Sequence, residues 1–447
     1  MNFKSILAET KILVKLGIPI AIAEMSGMFI NLVTTLMLGK VGATLLAGVG
    51  AGNSVFWVLA MIGIVALSMT APLSAAADES NDRREHKLIL YAGLWVSLIF
   101  SVFLMLLLFF LCYNFHLFGH EASVEAVARP YLFTITLGLL PFLVFIHLVN
   151  FVDGMSLTRV GMMLGLGSVF INLPINWLLI EGKWGFPALG LVGTGVSFIV
   201  SMVVQMLLVG IYIWKNPRFS VIHAALVSRE EIRQKVFDYM KTSLPSGLQT
   251  VIEYFAYSLG AVWIGWIGKT PLAGHQVAMQ LASTTFVVLL AIGQAGSIRI
   301  GQAIGGNDRE NLKIVGASSM IFSVALVLMP ALVFLFFSDK LAAFFTTDVL
   351  VQPIAANLIF IGGIFQVADA LQSVSIALLR GMEDTRLPSV ISFVAYWLLG
   401  MPVGYFCAFV LNWGAQGVWL GFLIALFTQG IWFAWRFFKL ASKNIEI

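Results

Sequence analysis

Apolar runs of about twenty or more residues recur twelve times along this 447-residue chain. Each is long enough to cross the ~30 Å hydrocarbon core of a bilayer as a helix. The runs fall near 12–38, 47–73, 88–112, 128–150, 161–181, 190–214, 244–268, 275–300, 314–338, 352–380, 389–411 and 417–438. Lipid offers the backbone no hydrogen-bonding partner, so such runs are confined to helix. Only 11% of the residues are charged and 60% are hydrophobic, against about 25% charged in average soluble domains. A soluble enzyme, a secreted disulfide scaffold and a disordered chain are thereby excluded. The expected class is an all-α polytopic membrane protein. The first run is too long for a signal-peptide core and is expected to stay as the first helix. Cys112 and Cys407 lie inside apolar runs and read as small buried thiols.

Charge sets the expected orientation. Twelve spans put both ends on one side. Twenty-one of the 26 Lys and Arg residues fall in the termini and connections of that side, and only Lys40, Arg129, Lys183, Lys269 and Lys340 in the others. The positive-inside rule then places both termini in the cytoplasm. The net charge of +4 follows from these short loops and does not call for nucleic acid as a partner.

The longest polar connection, about 215–243, divides the spans six and six, giving expected lobes 1–220 and 221–447. The halves repeat short patterns at a constant offset. Pro19, Leu46-Ala47-Gly48 and Asn81-Asp82-Arg83 recur 226 residues on as Pro245, Leu272-Ala273-Gly274 and Asn307-Asp308-Arg309. Gly154-Met155 and Thr158-Arg159 recur 227 on as Gly381-Met382 and Thr385-Arg386, as do Ala188 and Gly190 at Ala415 and Gly417. An even number of spans per repeat gives both lobes the same orientation, the parallel arrangement of alternating-access transporters.

Ionisable groups inside spans are costly and point to function. Glu24, Glu253 and Asp369 are the candidates. Glu253 and Asp369 lie about nine and eleven residues in from the cytoplasmic ends of their spans, a similar depth of roughly 15 Å. They are expected to converge on one site that binds Na⁺ through oxygens or shares protons. Asn172 and Asn176 are four apart and share a helix face, with Pro174 between them. They form a candidate polar patch in the first lobe. His147 and His275 read as satisfied interior groups. Arg299, Arg380 and the Asn-Asp-Arg loops read as topology anchors and pairing groups. The 36 Phe and 18 Met supply soft apolar surface, most of it for lipid. No Gly-x-x-x-x-Gly-Lys-Ser/Thr loop, Cys/His metal cluster or His-Glu-x-x-His occurs. Without a nucleotide signal, an ion gradient is the simplest energy source, worth about 2.3 kcal/mol per charge per 100 mV.

Taken in order, the motifs resemble the MATE (multidrug and toxic compound extrusion) transporters of the bacterial NorM type. They are Pro19 with Leu36-Met37-Leu38-Gly39, Asp153-Gly154-Met155-Ser156-Leu157-Thr158, Asn172-Leu173-Pro174-Ile175-Asn176-Trp177 and Glu253. They continue with Gly274-His275-Gln276-Val277-Ala278, Ser297-Ile298-Arg299-Ile300-Gly301, Phe365-Gln366-Val367-Ala368-Asp369-Ala370 and Leu379-Arg380-Gly381. The resemblance implies two six-helix lobes and export of organic, often cationic, compounds in exchange for H⁺ or Na⁺. It implies no cofactor, no enzymatic activity, a monomer with lipid and a small organic substrate as partners, and a bacterial inner-membrane location. Glu253 and Asp369 match the family's cation-site carboxylates, and Asn172 and Asn176 its first-lobe asparagines. Gln276, Thr34, Glu24 and Phe365 complete the expected substrate or polar-site set. Two positions depart from the pattern. Thr34 stands where the family usually has an aspartate, and Phe365 where some Na⁺-coupled members carry Tyr. A dedicated exporter of a neutral or zwitterionic metabolite on the same fold is the alternative, ahead of a lipid-linked saccharide flippase or a major-facilitator transporter.

Overall fold

The computed structural model describes residues 2–119, 121–219 and 225–442, which are helical with no strand among them. Eleven helices are long and apolar enough to span a membrane: α1 (Phe3–Val41), α2 (Thr44–Glu79), α3 (Arg83–Tyr113), α5 (Thr158–Glu181), α6 (Leu191–Lys215), α7 (Arg229–Ile267), α8 (Lys269–Gly305), α9 (Arg309–Phe336), α10 (Gln352–Gly381), α11 (Arg386–Val410) and α12 (Ala415–Ser442). The twelfth, α4, is a pair, Ala122–Leu137 and Leu139–Gly154, bent by 43° at Gly138.

The sequence repeat is a backbone repeat. The first pair of related helices, α1 and α7, are both 39 residues long and offset by 226. Asn81 and Asn307 both adopt left-handed backbone, at φ 54° and 53°, and Ser156 and Glu383 do so at 61° and 59°. Asn visits this region readily because its short polar side chain hydrogen-bonds locally. In each Asn-Asp-Arg loop the aspartate then caps the next helix. Asp82 accepts from the amides of Arg84 (3.0 Å) and Glu85 (2.9 Å), and Asp308 from that of Asn311 (3.1 Å). The motif is therefore a turn and helix start, more than the charge anchor expected from its sequence.

The expected connection 215–243 is shorter than its polarity suggests, because α7 begins at Arg229. Ser228 and Glu231 explain the early start. The Ser228 amide donates to the Glu231 carboxylate (2.8 Å) and the Glu231 amide to the Ser228 hydroxyl (3.2 Å), a reciprocal capping box. Glu231 and Lys235 then pair with Arg84 and Glu85 of α3.

The chain forms two compact units, Ile18–Gly247 and Met1–Gly17 with Leu248–Ile447. These boundaries differ from a division at 220/221. Helix α1 passes from one unit to the other at Gly17, and α7 passes back at Gly247. The first turns of α1 are fixed to their unit by Glu9, which takes two bonds from Arg299 of α8, Nε at 2.6 Å and Nη2 at 2.9 Å.

Lipid is as apolar as leucine, so close packing and hydrogen bonds hold such helices together. In the Ile18–Gly247 unit, Phe56, Phe142 and Phe198 meet at 5.8 Å centroid spacings. In the other unit Trp419, Phe422 and Tyr396 are fully buried. There α11 lies against α12 through glycines. A Cβ on Gly421 would stand 2.4 Å from the Gly400 carbonyl oxygen, so nothing larger fits. Helix α11 widens into π turns over Val394–Gly400 and Phe406–Val410, on either side of Pro402. This close approach places Ser392 of α11 beside Gln429 of α12.

Candidate functional site

Within the unit containing Leu248–Ile447, four helices present polar side chains to one another. Helix α7 supplies Gln249 and, one turn on, Glu253. Helix α10 supplies Asp369, Gln372 and Ser373, which its 3.6-residue period brings to one face. Helix α11 gives Ser392 and α12 gives Gln429. All but Glu253 are at most 8% exposed, and Gln429 and Ser392 are 0%.

The hydrogen bonds form one connected system. Glu253 Oε1 accepts from Gln249 Nε2 (3.1 Å), Gln372 Nε2 (3.2 Å) and Ser392 Oγ (3.3 Å). The shorter contact of Ser392 Oγ is to Gln429 Oε1, at 2.7 Å. Ser373 Oγ lies 3.1 Å from Asp369 Oδ1 and 3.1 Å from Gln372 Oε1. A serine hydroxyl has one proton to give. If Asp369 is ionised, Ser373 donates to it and Gln372 Oε1 goes without. If Asp369 carries a proton, it donates to Ser373, whose own proton passes to Gln372. Ser373 thus links the state of Asp369 to the amide that serves Glu253. Beside this system the Tyr396 hydroxyl donates to that of Tyr257 (3.1 Å), and Trp397 Nε1 to the Ile252 carbonyl (3.2 Å).

Arg380, expected as an anchor and pairing group, pairs into this system. Its side chain turns into the system, and Nη2 donates to Gln249 Oε1 at 3.3 Å. Its Nε is buried without a partner.

In the Ile18–Gly247 unit a second cluster forms on α5. Asn176 Nδ2 donates to Thr34 Oγ1 of α1 (2.8 Å) and to Asn172 Oδ1 (2.7 Å). Asn172 Nδ2 donates to Ser201 Oγ of α6 (3.1 Å), and Ser197 Oγ to the Asn172 carbonyl (2.9 Å). Asn176 Oδ1 is buried and unpartnered. Every member is neutral.

The remaining expected residues are placed elsewhere. Glu24 is exposed, takes no part in the hydrogen bonds of the asparagine cluster and lies within electrostatic reach of Asp153. Phe365 and Gln276 belong to the other unit from Thr34 and the asparagines. Phe365 packs on Trp419 with ring centroids 5.7 Å apart, in the core, because without a hydroxyl it has nothing to offer a polar site. Gln276 is exposed. His275 accepts from Trp419 Nε1 (3.0 Å). His147 lies between Thr70 Oγ1 and the Leu90 carbonyl, both at 3.0 Å. Sequence reading missed Gln249, Gln372, Ser373, Ser392, Gln429 and Arg380. Helical spacing held a signal for three of them: Gln249 is four residues before Glu253, and Gln372 and Ser373 are three and four after Asp369. No group of three or more His, Cys, Asp or Glu suited to a metal ion occurs among the described residues.

The MatE family model matches residues 19–178 and 245–406, one block in each sequence half. The multidrug resistance protein MdtK of Pectobacterium atrosepticum is 32% identical, covering 94% of this chain and 93% of that protein. The multidrug resistance protein NorM of Photobacterium profundum is 30% identical over 96% and 95%. Among solved structures, a eukaryotic MATE transporter superposes with a TM-score of 0.88 at 18% identity, over 98% of this chain and 97% of that one.

Proposed function

The chain belongs to the MatE family, and from that premise we propose that it is a secondary active exporter of organic compounds, driven by exchange for H⁺ or Na⁺ bound at Glu253 and Asp369. The observation that carries this reading is the convergence of two carboxylates, deep in their spans, on one hydrogen-bonded system. Carboxylate and amide oxygens gathered in this way can take up a small cation or a proton and yield it when their surroundings change. A cation that binds one conformation better than another shifts the population between them. Its inward movement supplies about 2.3 kcal/mol per 100 mV toward moving the substrate out. The family's architecture supports alternating access between two six-helix lobes, divided near 220/221 in sequence. The protein is a multi-pass protein of a bacterial inner membrane, monomeric, with both termini cytoplasmic and no organic cofactor. Its named relatives are multidrug resistance proteins, which supports amphipathic organic cations as substrates.

A second reading is favoured by Thr34. The cluster of Thr34, Asn172, Asn176 and Ser201 offers hydrogen bonds but no charge. Such a site suits a neutral or zwitterionic metabolite as well as a cation.

The test is transport of ethidium by proteoliposomes under an imposed pH gradient and, separately, an imposed Na⁺ gradient. Gradient-driven transport that is lost in Asp369→Asn and Glu253→Gln is expected. Full activity in both variants would overturn the coupling role. Absence of cationic-dye transport under either gradient would move the assignment to a neutral or zwitterionic cargo.

A further inference from the structure

We propose that Arg380 is a resident counter-cation for the Glu253 carboxylate, acting through Gln249, and that it competes with the coupling cation and sets how readily that cation is released. The proposal rests on the reading that Glu253 and Asp369 form the coupling site.

Three observations carry it. First, Arg380 is one turn and a half from the nearest polar member of its own helix, Ser375, yet its guanidinium is directed at α7. There Nη2 donates to Gln249 Oε1 at 3.3 Å. Second, the same Gln249 side chain donates from Nε2 to Glu253 Oε1 at 3.1 Å. The amide therefore takes a bond from the cation at one end and gives one to the carboxylate at the other. Its dipole is aligned so that each bond polarises the next. No direct ion pair joins Arg380 to Glu253 among the described residues, so the amide stands between the charges. Third, Arg380 Nε is buried and unpartnered. A guanidinium locked into a purely structural role satisfies its donors, as Arg299 does with both Glu9 oxygens and Gln302. Arg380 keeps a donor in reserve beside an anion.

The charge arithmetic gives this arrangement a use. Two carboxylates and no resident cation would hold an inward-moving ion so firmly that release into the cytoplasm limits turnover. A fixed guanidinium, one amide away, compensates Glu253 whenever the transported cation leaves. It also raises the energy of the site while that cation is bound. The other ionisable groups facing the pair are Tyr254 and Tyr257 on α7 and Tyr396 on α11. None of these carries positive charge, so Arg380 is the counter-charge within this group. It acts on Glu253 through Gln249 and is a positioning residue.

The experiment uses the full-length protein in proteoliposomes, with ethidium as cargo. It measures initial transport rate against external pH at fixed Na⁺, and against Na⁺ at fixed pH. Arg380→Gln is expected to lower the cation concentration giving half-maximal transport by about ten- to hundredfold, the scale of one charge-assisted hydrogen bond, and to lower the maximal rate. Arg380→Lys is expected to restore most of the wild-type dependence. Gln249→Ala removes the relay without altering charge and is expected to shift the dependence in the same direction. It carries the test if Arg380→Gln is not recovered as folded protein. A half-maximal concentration that is unchanged or raised in Arg380→Gln and Gln249→Ala overturns the proposal. Wild-type coupling in Glu253→Gln and Asp369→Asn would instead overturn the reading of the site itself.

Discussion

Replacing Glu9 with alanine isolates the energetics of a buried ion pair at the start of α1. The Glu9 and Arg299 side chains are 5% and 15% exposed. Two short bonds, 2.6 and 2.9 Å, join them, and Arg299 Nη1 also reaches Gln302 Oε1 at 2.5 Å. Removing one partner of a buried pair leaves an uncompensated charge and costs about 3–5 kcal/mol. Gln302 keeps one guanidinium bond, and the residual exposure of Arg299 admits some water. The expected loss for Glu9→Ala is therefore at the low end, about 3 kcal/mol. At roughly 2–4 °C per kcal/mol for a body of 150–250 residues, the melting temperature in detergent should fall by about 6–12 °C. The double variant Glu9→Ala/Arg299→Met removes the stranded charge and should recover most of that loss. Thermal unfolding followed by tryptophan fluorescence measures both. If the double variant is as unstable as the single one, the cost comes from lost packing, and the argument from buried charge fails.

Four further outcomes follow from the geometry. Ser373→Ala removes the hydroxyl shared by Asp369 and Gln372. It should lower gradient-driven transport several-fold while thermal stability changes by less than about 1 kcal/mol. Thr34→Asp places a carboxylate beside Asn176 Nδ2, which now donates to Thr34 at 2.8 Å. Binding of ethidium, read by fluorescence polarisation, should tighten relative to the parent, and an unchanged affinity would count against a role for the asparagine cluster in charge selection. Asn176→Leu strands Thr34 Oγ1 and Asn172 Oδ1 as acceptors and should cost about 1–2 kcal/mol by thermal unfolding. Gly93→Ala would drive a Cβ to 1.9 Å from Cε1 of His147. That ring is held at both nitrogens, so a loss of about 2 kcal/mol is expected in the same measurement.

The spans were legible because lipid leaves the backbone only one solution, and hydropathy reports it directly. The repeat was legible because its turns need particular residues: Asn81 and Asn307 occupy left-handed backbone, and Asp82 and Asp308 cap the helices that follow. Helix starts outside the bilayer were not, since hydropathy is silent there. The early start of α7 depended on Ser228 and Glu231, a capping signal lying inside a stretch that reads as a polar linker. At the site, Glu253 and Asp369 were visible as charge where charge is costly. Their neutral partners were harder to see, because several Gln and many Ser lie in the spans of this chain and only the rotation of four helices brings Gln249, Gln372, Ser392 and Gln429 together. The partner of Arg380 was hidden for a related reason. Its position near the end of α10 marks it as an anchor, and sequence does not say which way a long side chain turns.

The exchange of segments at Gly17 and Gly247 bears on how the protein tolerates being cut. Cleaving the backbone between Lys215 and Arg229 leaves each fragment with a helix end that belongs to the other fragment's compact body. Neither fragment expressed alone has all the helix segments that complete a body, whereas co-produced fragments each carry the missing piece of the other. Reassembly of a split protein is then reciprocal: each complete encounter of the two fragments restores both bodies.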